Sequence, residues 1–179
     1  QNFINMVKKF TFRPKLEYES VIEISRLRER IEKDLAGEDT KGKNVKLGYG
    51  GLADIEFSVQ ILQMMHGGKN IRLRETNTLS AIVQLDILGI IDHKDSENIK
   101  KHYIFLRNLE CALRIQNLSL MSHLPKEQEK LLMLAKFLKY SGRNSNDIVE
   151  KFRNDYSQST KETRAFYSKT IDTLLRTAL

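Results

Sequence analysis

Apolar residues recur at intervals of three and four over most of the chain, the spacing of helices that bury one face. Val21, Ile24, Leu27, Ile31 and Leu35 make the first such stripe, and Gly37 marks its end. Leu52, Ile55, Val59 and Leu62 make the second, which Phe57, Ile61 and Met64 widen until almost every side of the helix is apolar. A helix apolar all round belongs at the centre of a bundle. Gly67-Gly68 closes it, after which Thr76 or Asn77 caps a third helix that turns Leu79, Ile82, Val83 and Leu85 to the core and stops at Gly89. Asp92 opens a fourth, striped by Ile99, Tyr103, Leu106, Leu109 and Leu113. Pro125 suits the first position of a fifth, which carries Leu131, Leu134, Ala135 and Leu138. From Asn144 or Ser145 onward, helical spacing runs through Ile148, Phe152, Tyr156, Thr163, Phe166, Ile171 and Leu174 without a Gly or Pro, which predicts one long final helix.

No segment alternates apolar and polar residues well enough for a strand. The predicted fold is therefore an all-α bundle of about six helices with a long C-terminal helix. Residues 16–179 read as a single helical domain. Residues 1–15 mix Phe3, Ile4, Phe10 and Phe12 with Lys8, Lys9 and Arg13, and read as a connector with an apolar anchor; the polar stretch 38–44 reads as a mobile loop.

Composition narrows the picture. Only 2 prolines and 9 glycines among 179 residues exclude a turn-rich β-sandwich, and 40% hydrophobic residues can fill a sizeable core. Cys111 stands alone, so no disulfide forms within the chain and a cysteine-rich zinc site is excluded. Without a run of roughly 20 apolar residues no helix crosses a membrane, and the expected compartment is the cytoplasm. Gln1 in place of Met points to a piece of a longer polypeptide. The 30 Lys and Arg residues exceed the 23 Asp and Glu residues, for a formal charge of +7, which favours acidic or phosphate-bearing partners. Acidic residues interleave with the basic ones along most of the chain, which argues against nucleic acid.

The densest candidate chemistry is the run from Lys46 to Phe57. Gly48, Gly50 and Gly51 let backbone come close to a ligand, Lys46 adds a charge and the following helix start favours an anion, so Lys46, Gly48, Gly50, Gly51 and Asp54 are candidates for lining a nucleotide cleft. The same glycines equally suit a turn that packs helices tightly, with Asp54 complementing the helix dipole. Glu56 lies between Ile55 and Phe57 in the most apolar helix and needs a partner. Arg107, Glu110 and Arg114 share one face of the fourth helix and read either as a surface charge ladder or as a buried network in which Arg107 or Arg114 pairs with Glu56. Glu56 is expected to be largely buried, so that its removal costs about 3 to 5 kcal/mol. His66, His93, His102 and His123 show no metal-ligand spacing, and Cys111 reads as a core or interface thiol. Neither a catalytic set nor a metal site is visible.

Lys46-Leu47-Gly48-x-Gly50-Gly51-Leu52-x-Asp54-Ile55-Glu56-Phe57-x-Val59-Gln60, then His66-Gly67-Gly68, Asn77-Thr78-Leu79, Leu88-Gly89-Ile90 and Tyr103-x-Phe105-Leu106-Arg107-x-Leu109-Glu110 together resemble the helical domain of glutamine synthetase adenylyltransferases. The P-II uridylyltransferase shares that domain family. The resemblance implies a bifunctional parent that attaches AMP to glutamine synthetase and removes it, with magnesium and ATP held by a preceding nucleotidyltransferase domain through Gly-Ser and Asp-x-Asp motifs. This chain has no such set, so the resemblance implies no catalytic residue and no bound cofactor here. Its expected role is to complete the nucleotide cleft, pack on the upstream nucleotidyltransferase domain and contact glutamine synthetase or the P-II signal protein. His66-Gly67-Gly68 and His123-Leu124-Pro125 resemble the AMP-removing half and Ala53-Asp54 the AMP-attaching half, so the motifs assign neither. The alternative is a stand-alone helical interaction module that binds nucleic acid through its positive charge.

Overall fold

Leu52, Ile55, Val59 and Ile61 keep at most 1% of their surface in solvent, which places their helix at the centre of the molecule. The computed structural model describes residues 2–12, 17–117 and 122–177. Its helices are α1 (Asn2–Thr11), α2 (Tyr18–Leu35), the one-turn α3 (Glu38–Lys41), α4 (Leu52–His66), α5 (Thr78–Ile87), α6 (His93–Asn117), α7 (Gln128–Phe137) and α8 (Ser145–Thr177), with a 3-10 turn at Ile71–Leu73. The bundle formed by the six helices α2 and α4 to α8, with a long last one, is the architecture that the apolar spacing predicts. α8 runs along α2, α4, α6 and α7, while α5 fills the space beside α4 and α6. Small hydroxyl residues of α8, Ser159, Thr160 and Thr163, are buried, and at Thr160 the loop ahead of α4 comes close to the helix backbone. No helix among the described residues is long and apolar enough to cross a membrane.

Five local expectations are corrected. The stripe assigned to α2 is rotated: Leu27 and Leu35 are exposed, whereas Val21 and Arg28 are fully buried. Its packed face follows Val21, Ile24 and Arg28, because Arg28 has a buried carboxylate to reach. Val83 points to solvent while Ile82 and Leu85 take the core. Part of the stretch expected as a mobile loop is the helical turn α3. Pro125 stands ahead of α7 instead of opening it, since Ser122 to Leu124 is held against the loop after α3: Val45 N donates to Ser122 O at 2.8 Å and Leu124 N to Lys43 O at 2.8 Å. Cys111 is exposed on α6, which overturns the core half of its expected role as a core or interface thiol.

In the amino-terminal segment expected to be a connector, α1 carries Phe3, Met6, Val7 and Phe10 outward. Phe12, just beyond it, touches the bundle, with the Arg74 guanidinium 5.1 Å from its ring centre. Arg13 to Leu16 lie outside the described residues.

Candidate functional site

The run of Lys46 to Phe57 folds as a tight loop feeding α4. Asn44 organises it: its side-chain oxygen accepts from Lys46 N at 3.0 Å and Leu47 N at 2.9 Å, and its amide group donates to Ala36 O at 3.0 Å. Gly48 N returns to Asn44 O, Gly51 N to Gly48 O, and the first amides of α4 close on the loop as well, with Leu52 N on Val45 O, Ala53 N on Lys46 O and Asp54 N on Gly51 O. The amides that a phosphate cradle would offer are thus engaged inside the chain. Gly50 is required on two counts. Its φ of +66° disfavours any side chain, and a Cβ there would stand 1.9 Å from the Thr160 carbonyl oxygen of α8. The glycines seat the loop directly on the long helix.

Asp54 is the carboxylate that this seating buries. It has no solvent exposure and meets Arg28 Nε and Nη2 at 2.6 Å, while Arg164 Nε lies 3.0 Å away and Gly50 N donates to it at 3.0 Å. Arg28 also donates to Gly48 O at 2.9 Å, so one guanidinium ties α2 to the loop as well as to α4. Glu32 joins both arginines from one turn further along α2. Arg164 lies 4.4 Å beneath the half-exposed ring of Tyr49. Burial pushes the Asp54 carboxyl up to about 6, with Arg28 and Arg164 pulling against it.

A second layer faces outward. Glu56 pairs with Arg107 at 2.5 Å, Arg107 continues to Glu110 at 2.8 Å, and Glu110 reaches Arg114 at 2.8 Å. The Tyr103 hydroxyl accepts from Arg107 at 3.0 Å. Burial raises the Glu56 carboxyl, and the charges of Arg107 and Lys46 oppose that rise. Glu110 is the buried member, with 3% of its side chain exposed; Glu56 keeps 24%, Arg107 39% and Arg114 45%. Glu56 therefore has the predicted partner Arg107 with less burial than expected, and Arg114 reaches Glu110 in its place.

Sequence reasoning missed Arg28, Glu32, Asn44 and Arg164. Arg28 had a signal, because it continues the spacing of Val21 and Ile24. Arg164 had little, since charged residues are common on a long helix.

The residues do not suit magnesium. Asp54 and Glu56 are already bound to arginines, and a hard cation needs several free oxygens. Elsewhere the ligand atoms of Asp86, His93 and Glu97 lie within 4.8 Å of one another, but Asp86 is paired with His93 at 2.9 Å and Glu97 with Lys100.

The family model of the GlnD PII-uridylyltransferase matches residues 23–171, from α2 through most of α8. The chain belongs to that family. Bifunctional glutamine synthetase adenylyltransferase/adenylyl-removing enzymes are similar to this family member over most of its length. The one from Mycobacterium tuberculosis (strain ATCC 25618 / H37Rv) is 33% identical over 167 residues, 89% of this chain and 17% of the relative. That from Hahella chejuensis is 29% identical over 159 residues, 88% of this chain and 16% of the relative. That from Mycobacterium avium is 38% identical over 110 residues, 62% of this chain and 11% of the relative. The chain is thus a helical domain of the adenylyltransferase type and spans about a sixth of the curated relatives it matches.

Proposed function

We propose that this chain is the helical accessory domain of a bifunctional glutamine synthetase adenylyltransferase/adenylyl-removing enzyme, that it packs against a nucleotidyltransferase domain and that it closes one side of the nucleotide cleft. The observation that carries this reading is the two-layer organisation of the loop and α4. The inner layer of Asp54, Arg28 and Arg164 fixes the loop on α2 and α8, and the outer layer presents Lys46, Glu56 and Arg107 on a rigid base. Lys46 is the candidate for meeting phosphate on this reading, which the engagement of the loop amides within the chain supports. Magnesium and ATP are held by the partner domain, whose carboxylates supply the metal ligands. Glutamine synthetase is the protein substrate, and the P-II signal protein is the regulatory partner.

The test is kinetic. In the full-length enzyme that carries this chain, Lys46→Ala is expected to lower kcat for AMP transfer to glutamine synthetase at least tenfold with an unchanged melting temperature. Unaltered kinetics would remove this face from the cleft. The 179-residue chain alone, given glutamine synthetase, magnesium and ATP, is expected to transfer no AMP. Turnover by the chain that is lost in Glu56→Ala, a variant expected to stay folded, would place chemistry within the chain and overturn its accessory role.

A further inference from the structure

A groove of about 340 Å³ opens between the loop after α3, the start of α7 and the first half of α8. Leu124, Pro125, Leu131, Phe152 and Tyr156 form its apolar floor. Its rim is cationic: Lys43, Lys126 and Arg153 stand around it, and none of the nine residues that line it is acidic. Lys126 donates to the Thr40 carbonyl at 2.9 Å and Arg153 to the Gln128 side-chain oxygen at 3.1 Å, so both charges face neutral partners. Lys43 lies 3.5 Å from Glu38 with 65% of its side chain in solvent. Among the described side chains Lys126 and Arg153 make no ion pair and Lys43 is only loosely paired, beside an apolar depression.

We propose that this groove docks an acidic peptide segment of a partner protein, with one large apolar side chain on the floor and carboxylates on either side against Lys43, Lys126 and Arg153. The volume is at the lower end of the range for ligand pockets, about 300–1,000 Å³, enough for one bulky side chain and its flanking backbone. Apolar burial supplies the anchor, while charge complementarity selects the partner and speeds encounter. A nucleotide fits less well. The rim offers long, mobile cations and no fixed set of donors and acceptors to read a base. The site holds whether or not the chain serves an adenylyltransferase, because the groove shares no residue with the Lys46 to Arg114 face.

The probe is a fluorescein-labelled peptide of Asp and Glu around a single Phe, titrated against the 179-residue chain at low salt and followed by anisotropy. Saturable binding is expected, about tenfold weaker when Ser replaces the Phe and about tenfold weaker for the combined Lys43→Ala, Lys126→Ala and Arg153→Ala variant. All three cations are exposed and their removal leaves the floor intact. In the parent chain, amide NMR signals of Leu131 and Arg153 are expected to shift on adding peptide, a readout that needs no variant. Equal binding of a peptide with Lys in place of each acid would overturn the proposal. So would parental affinity in the triple variant, or displacement of the peptide by ATP or a single-stranded oligonucleotide.

Discussion

Arg28 and Asp54 meet at 2.6 Å with neither side chain exposed, so the two helices that carry them are joined by a pair that water does not reach. Such a pair contributes little net stability while intact, yet losing one member strands a buried charge. Asp54→Ala is expected to destabilise the chain by about 3 to 5 kcal/mol. Urea denaturation measures it, and a loss below about 1 kcal/mol would mean that Arg28 finds water or Glu32 instead.

Two glycines with nearly equal backbone angles should respond differently to the same change. Gly50 has φ +66° with the Thr160 carbonyl in the way, whereas Gly89 has φ +65° with nothing within 4 Å of a new Cβ. Gly89→Ala is expected to cost about 1 kcal/mol, the conformational term alone. Gly50→Ala is expected to cost at least about 3 kcal/mol, because α8 must move. Similar midpoints for both variants would show that the loop is not seated against Thr160.

The Asp54 carboxyl gives the stability a defined pH dependence. The folded chain holds its proton up to about pH 6, while the unfolded chain releases it near 3.8, so the folded state binds more protons between those values. The contribution of this group is therefore full below about pH 4 and is lost as pH rises through about 6. Carbon-13 NMR of the Asp side chains should show one carboxyl with a midpoint near 6. A set in which every Asp titrates below about 4.5 would contradict this.

Glu56 is a milder site than its place in an apolar helix suggests. Its side chain is 24% exposed, and Arg107 retains Glu110 and Tyr103 when it is removed. Glu56→Ala is expected to cost about 1 kcal/mol and leave a cooperative unfolding transition. A cost above about 3 kcal/mol in the same experiment would restore it as a structural requirement.

The formal +7 charge is not expected to produce nucleic-acid affinity of consequence at physiological salt. Many of its cations are spent on nearby carboxylates, among them Arg28, Arg107, Arg114 and Arg164. Filter binding with duplex and single-stranded DNA tests this. Tight binding with a steep salt dependence would favour the interaction-module reading.

Helix positions were legible because burying one face leaves a period in the sequence. Leu52, Ile55, Val59 and Leu62 follow it, and all are buried. The helix stops were legible for a local reason too: Gly37 and Gly89 take left-handed angles that other residues avoid. What could not be read was the rotation of α2, since Leu27 and Arg28 are neighbours and only the depth of Asp54, 26 residues away, decides which one turns inward. Likewise the glycine loop announces a close approach but not what is approached. Thr160 lies more than a hundred residues further along, with no local signal linking the two.

α8 has 33 residues and is therefore about 50 Å long. Along that rod sit the groove floor at Phe152 and Tyr156, the loop seat at Thr160, the inner arginine at Arg164 and, five residues on, the pairs of Lys169 with Asp92 and Asp95. A lever of this kind has no joint between its stations. A tilt imposed at Phe152 and Tyr156 would therefore reach the seat of the glycine loop at Thr160 within about two turns of the same unbroken helix.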